Sequence, residues 1–223
     1  MGDLHARNIY TNFRGRITSA QKLAIELYGN QYFITDLRDL DTLVRTTSSQ
    51  ELKIEIGFGM GVELARWATE YPDVSFLGIE LYKPGIGSLF LKLVGECIEN
   101  VRVVEAPAQV VIGELANNTV NEIRILFPDP WPKKRHHKRR LIQKDFICQV
   151  ERVLVKGGRL QMATDWKPYA DWALCCIEEN TGFVRSVDKA VISRVDKNMT
   201  TKFERRGINL KHKVTDFIYE KLY

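Results

Sequence analysis

Three groups of residues in this sequence have the types and spacing that chemistry needs. The first is Glu55-Ile56-Gly57-Phe58-Gly59-Met60-Gly61, in which three glycines alternate behind a carboxylate. Glycine is required where a backbone turns tightly and must approach a ligand with no Cβ in the way. Glu80 stands 19 residues beyond Gly61, and a carboxylate so placed can accept hydrogen bonds from both hydroxyls of a ribose. The second group is Phe127-Pro128-Asp129-Pro130-Trp131-Pro132. Each proline locks its own φ and restricts the residue before it, so Asp129 is presented on a stiff loop beside an aromatic ring. The third follows directly: Lys133–Arg140 reads KKRHHKRR, six Lys or Arg with no acid.

Each group has a chemical reading and a bland one. A dinucleotide fingerprint would read G-x-G-x-x-G and face a pyrophosphate. This loop reads G-x-G-x-G, and Glu55 would sit poorly beside a pyrophosphate. It suits a nucleoside that carries an ammonium or sulfonium group, such as S-adenosylmethionine. A nicotinamide cofactor stays the competitor on the loop alone, and an ordinary turn flanked by strand-end carboxylates is the plain alternative. Asp129 and Trp131 suit the holding of a flipped-out base, guanine offering N1 and N2 donors to a carboxylate. The plain alternative is a proline-rich loop around a buried tryptophan. The cations suit phosphate contacts, which give affinity and register without sequence choice.

These residues need a scaffold, and the remaining sequence describes one. LKIEI (52–56), SFLGIE (75–80), VRVVE (101–105), EIRILF (122–127), RLQMAT (159–164) and VTDFIYEKL (214–222) read as strands. VELARWATEY (62–71, closed by Pro72), 86–98, LIQKDFICQVERVL (141–154, stopped by Gly157 and Gly158) and YADWALCCIEEN (169–180) read as helices. Alternating strands and helices predict a parallel sheet with helices on both faces. The last strand, which no helix precedes, is expected to pair antiparallel. Ligands of such sheets bind beyond the carboxyl ends of the strands, where all three groups fall. Residues 1–50 read as an arm and cap, residues 51–223 as the domain proper.

Composition bounds the rest. The chain has 223 residues, 44% of them hydrophobic, and a net charge of +5. Without the KKRHHKRR block the net charge is −1, so basicity is concentrated in one place, as in a polyanion-binding surface. No apolar run is long enough for a membrane span, and the charged N-terminus is unlike a signal peptide. A cytoplasmic protein is expected. Cys97, Cys148, Cys175 and Cys176 lack paired spacing and read as buried free thiols. His136 and His137 lie among cations that would repel a divalent ion, so no metal is expected. Monomer and homodimer are equally compatible with the sequence.

EIGFGMG, GIE at 78–80, FPDPWPKKRHHKRR, ATDW at 163–166 and TKFERRG at 201–207 together resemble the bacterial tRNA (guanine-N7)-methyltransferase family. The similarity runs in order from about residue 7 to the C-terminus, with RGRIT (14–18) similar to the family's N-terminal arm. The resemblance implies a Rossmann-like class I methyltransferase fold, a mostly parallel seven-stranded sheet, with S-adenosylmethionine as methyl donor and tRNA as partner. It implies transfer to N7 of the variable-loop guanosine. Glu55, Gly57, Gly59, Gly61, Glu80, Glu105, Ala106 and Asp129 match donor-site positions, Asp129 being the active-site acid. Lys133, Asp165, Thr201, Lys202, Phe203 and Glu204 match positions for tRNA or guanine. Pro107 stands where the family commonly has an acid near the adenine.

Guanine N7 has a lone pair and no proton, so this reaction asks for alignment and electrostatics rather than a strong base. Asp129, Asp165 and Glu204 are expected to accept hydrogen bonds from the guanine edge. The loop carrying Lys202, Arg205 and Arg206 is expected to close over the nucleotide. A nicotinamide oxidoreductase would leave Glu55 and the basic block unexplained. A non-catalytic RNA-binding module would leave the glycine loop, Glu80 and Asp129 unexplained.

Overall fold

A computed structural model describes residues 15–43, 51–186 and 214–223. Its centre is a seven-stranded sheet in the order β3-β2-β1-β4-β5-β7-β6. The strands are β1 (Leu52–Ile56), β2 (Ser75–Ile79), β3 (Val101–Val104), β4 (Val120–Leu126), β5 (Leu154–Thr164), β6 (Phe183–Arg185) and β7 (Thr215–Lys221). The first five run parallel. β7 pairs antiparallel with β5 and with β6, as expected for the last strand. The chain turns back on itself between β1 and β4, so the strand order reverses there, and ligands of open α/β sheets bind at such a point.

Among the described residues, seven α-helices flank the sheet: α1 (Ser19–Tyr32), α2 (Leu40–Leu43), α3 (Val62–Glu70), α4 (Lys83–Gly95), α5 (Ala108–Glu114), α6 (Lys144–Val153) and α7 (Lys167–Glu178). The strands alternate their side chains between two cores. Leu52, Ile54 and Ile56 point to the core shared with α5, α6 and α7. Phe76, Val101 and Val103 point to the core shared with α1, α3 and α4. α6 shows the driving pattern: Phe146, Ile147, Val150 and Val153 share one stripe and are all buried. Each such side chain contributes about 1.5–3 kcal/mol on burial. None of the helices among the described residues is long and apolar enough to cross a membrane.

Several local expectations need correction. Gly157 and Gly158 do not stop α6, which already ends at Val153. They lie inside β5 at the irregularity where the register with β4 shifts between Val120 and Glu122, with Gly157 at φ 74°. α4 begins at Lys83, ahead of the apolar run, because Pro84 is pre-set for a first helical turn. α5 and β6 have no counterpart in the sequence reading. They are 7 and 3 residues long, too short to establish a period. The cysteines also differ. Cys176 is buried, whereas Cys97, Cys148 and Cys175 are exposed, Cys175 lying on the outer side of α7 with its thiol donating to Glu179 at 3.3 Å. α1 is closed at its start by a capping box between Thr18 and Gln21, which satisfies two otherwise orphaned amides.

Candidate functional site

The parallel register lines up the carboxyl ends of five strands. Ile56 pairs with Ile79 and Ile125, Ile79 with Val104, and Leu126 with Ala163. The residues that follow are Gly57, Glu80, Glu105, Phe127 and Thr164, so the separate sequence groups meet along one edge.

The glycine loop leaves β1 with the Gly57 amide donating to the Ile79 carbonyl at 2.8 Å. Gly57, Gly59 and Gly61 have φ of 72°, 55° and 73°, a region that costs other residues about 1–2 kcal/mol. Their roles differ. A Cβ on Gly57 or Gly59 would meet nothing within 4 Å among the described residues, whereas one on Gly61 would fall 2.6 Å from Leu89 Cβ. The first two leave bare backbone facing open space, and the third lets α3 and α4 close together. Glu55 lies buried on β1 behind the loop, 3% exposed. Glu80 braces the loop from β2: its Oε2 accepts from Gly59 N at 2.8 Å, and its Oε1 from Leu81 N and Tyr82 N at 2.7 and 3.1 Å. A carboxylate offers about four acceptor positions, so capacity for a further donor remains. Gly85 in α4 lies so close that a Cβ there would overlap the Gly59 carbonyl oxygen. The N-terminal segment reaches the same edge, with Gly15 against the Tyr82 hydroxyl.

After β3, Glu105 is exposed and pairs with Lys83 at 3.4 Å. Ala106 is half-buried, and Pro107 is the N-cap of α5.

The Asp129 loop leaves β4 with Phe127 N still donating to Ala163 O at 2.8 Å. Phe127 and Trp131, on either side of the acid, have φ of 51° and 43°. Neither is glycine, so each stores about 1–3 kcal/mol of strain that the surroundings must hold. Asp129 is exposed as a residue, yet the protein around its carboxyl desolvates it and pushes its pKa above the ordinary carboxylate value. Across β5, Asp165 is half-buried, next to a turn in which Trp166 N donates to Thr164 Oγ1 at 3.3 Å.

Trp131, expected to help hold a flipped-out base, is half-buried and has two neighbours of its own. The Arg139 guanidinium lies 5.1 Å from its centroid, and His136 meets it edge-on at 5.9 Å. The basic block itself is divided. Lys133, Lys134, Arg135 and Lys138 are exposed, Arg139 leans on Trp131, and Arg140 is buried. Lys134–Arg139 form a 3-10 helix. Partial desolvation, then the charges of Arg139, Arg135 and Lys133, hold the His136 pKa below the usual histidine value. Thr201, Lys202, Phe203 and Glu204, with the whole loop expected to close, lie outside the described residues.

The reading of single residues missed three contributors. Gly85 carries a signal, the glycine of KPGIG at the start of a helix, and its close approach explains it. In sequence Arg140 is indistinguishable from the phosphate-binding cations, and Tyr169 from the other apolar residues of its helix. Tyr169 is fully buried, and its hydroxyl accepts from Ile142 N at 3.3 Å.

A sheet of this order, reversed between β1 and β4, with a bare glycine cradle and strand-end acids at that edge, defines a Rossmann-like class I methyltransferase. A family model described as "Putative methyltransferase" matches residues 49–217. The chain belongs to the bacterial tRNA (guanine-N7)-methyltransferase family. It is 40% identical to the tRNA (guanine-N(7)-)-methyltransferase of Nitrosococcus oceani over 93% of this chain and 87% of that protein. With the protein of the same name from Xylella fastidiosa strain 9a5c the identity is 41%, over 94% and 87%. With that of Acidithiobacillus ferrooxidans it is 40%, over 94% and 92%. Among solved structures, an antibiotic-related methyltransferase superposes with a TM-score of 0.60 at 19% identity, over 88% of this chain and 99% of that one. The aminoglycoside resistance methyltransferase NpmB1 gives 0.56 at 14% identity, over 84% and 94%. These two likenesses concern the fold.

Proposed function

We propose that this protein transfers a methyl group from S-adenosylmethionine to N7 of a guanosine in the variable loop of tRNA. The observation that carries the reading is the alignment of the glycine cradle with Asp129 across the strand-order reversal, in a chain about 40% identical to enzymes named for this reaction over 93% of its length. The open backbone at Gly57 and Gly59 fits a nucleoside, and the buried Glu55 fits a cationic donor better than a pyrophosphate. Glu55, Gly57, Gly59, Gly61, Glu80, Glu105, Ala106 and Asp129 would hold the donor, which supplies an electrophilic methyl group when bound. Asp129 and Asp165, at the ends of neighbouring strands, would orient the guanine edge, with Thr201–Glu204 contributing from the segment before β7. Lys133 and its exposed neighbours would engage tRNA phosphates. Residues 1–50 would serve as arm and cap to the domain at 51–223, in a cytoplasmic enzyme.

The test is transfer of labelled methyl to unmodified tRNA, followed by borohydride and aniline, which cleave at N7-methylguanosine. Cleavage in the variable loop is expected. Label without cleavage would move the target atom, and no label from a folded, donor-binding protein would overturn the reading.

The division of the basic block gives a second expectation. Replacing Lys134, Arg135 or Lys138 singly by alanine should weaken tRNA binding across all species and leave kcat unchanged. The slope of log affinity against log salt should fall by about 0.7–0.9 for each phosphate contact removed. An unchanged slope in all three variants would place the phosphate contacts elsewhere.

A further inference from the structure

Arg140 behaves unlike the rest of the block in which the sequence places it. It is 2% exposed. Its Nε donates to the Pro130 carbonyl at 2.9 Å, and its guanidinium carbon lies 5.1 Å from the Tyr169 ring centroid and 5.4 Å from that of Trp172. Its Nη2 is buried with no hydrogen-bond partner, and among the described residues no carboxylate pairs with it. A buried charge with no counter-ion is costly, and an apolar side chain of similar volume is often at least as stable. Filling the space between the rings therefore gives no reason for an arginine here, and cation–π attraction to them offsets only part of the burial cost.

The hydrogen bond gives one. Pro130 lies between Asp129 and Trp131, in the loop where Phe127 and Trp131 hold left-handed φ. Left to itself, this segment would relax toward negative φ and rotate the peptide planes on both sides of the acid. Arg140 is itself well anchored. Tyr169 Oη accepts from Ile142 N at 3.3 Å, and Trp172 Nε1 donates to Ile142 O at 2.8 Å. Gln143 Nε2 donates to the carbonyls of His137 and Arg140 at 2.9 and 3.2 Å. The guanidinium is thus a strut with one end fixed on α7 and the other on the strained loop.

We propose that Arg140 is a positioning residue, whose buried guanidinium holds the Pro130 carbonyl and thereby sets the placement of Asp129 and Trp131 for methyl transfer. This rests on the reaction proposed above. A displacement of about 1 Å at a reacting centre can cost about 100-fold in rate, so the effect belongs in kcat rather than in binding.

The decisive variant is Arg140→Met, which keeps the stem against the two aromatic rings and removes the donor. Its Tm should match or exceed that of the wild type, with kcat down about 50–100-fold and donor and tRNA Kd within about threefold. Arg140→Ala should behave alike and recover part of its kcat with added methylguanidinium, whereas Asp129→Ala should not. Hydrogen exchange at the Asp129 and Trp131 amides should quicken in Arg140→Met. A folded Arg140→Met with near-wild-type kcat would overturn the proposal. So would lost tRNA affinity at unchanged kcat, which would make Arg140 a phosphate contact. If the wild type itself failed to methylate N7, the reaction reading would fall, and the exchange measurement would still decide the strut. Unchanged exchange in Arg140→Met would then sink it.

Discussion

Asp129→Asn is expected to lower kcat by about 100- to 1,000-fold, the usual cost of removing one preorganised electrostatic group from a reacting centre. Asparagine keeps the shape of the side chain but replaces one acceptor oxygen with a donor, so a guanine N–H that faced a carboxylate now faces an NH₂. The pH profile supplies the mechanism. Burial raises the Asp129 pKa, so the wild-type rate should fall on the acid side at a pH above the ordinary carboxylate range, and that limb should be absent from the residual activity of the variant. Stability should move in the opposite sense to activity. An acid whose folded pKa is raised contributes stability below its unfolded pKa and loses that contribution as pH rises through the folded value. The Tm of Asp129→Asn relative to wild type should therefore increase as pH rises from the ordinary carboxylate range through the raised folded value. A variant with wild-type kcat would remove Asp129 from the reaction, and a Tm difference independent of pH would remove the desolvated carboxylate.

Gly85→Ala should be the most damaging small change at the donor site. In a helix, alanine in place of glycine normally gains about 0.5–1 kcal/mol. Here the new Cβ would overlap the Gly59 carbonyl oxygen, and backbone cannot swing aside as a flexible side chain can. Overpacking of this kind costs about 1–3 kcal/mol, which outweighs the propensity gain. The displaced atom belongs to the stretch of the cradle that Glu80 braces through Gly59 N. We expect donor Kd to rise by about 5- to 100-fold with only a modest drop in Tm. Gly95→Ala is the control: it ends the same helix, and among the described residues a Cβ there meets nothing within 4 Å. It should bind donor like the wild type, and calorimetric titration with S-adenosylmethionine separates the two.

How much of this was legible in the sequence depends on whether the determining interactions are local. The glycine loop was readable because positive φ at Gly57, Gly59 and Gly61 is a property of the residue itself. The span of β1 was readable from its apolar run, and the amphipathic stripe of α6 from its period. The stiffness of the Asp129 loop was readable from its prolines, and the antiparallel last strand from the lack of a helical sequence pattern before it. The tertiary structure decided the rest, because it depends on residues distant in the chain. β6 is three residues held by pairing with β7, and no local propensity announces it. Exposure split the adjacent Cys175 and Cys176, because neighbouring positions on a helix face different ways. Glu80 proved to brace the cradle through Gly59 N, a contact across 21 residues. Arg140 is the clearest case: six Lys or Arg in one eight-residue block look alike in sequence, and only the packing of α7 beneath the loop turns one of them inward. Residue type and short spacing determined which chemistry this chain can carry. Long-range packing determined which of its charged groups face a ligand and which hold the site in place.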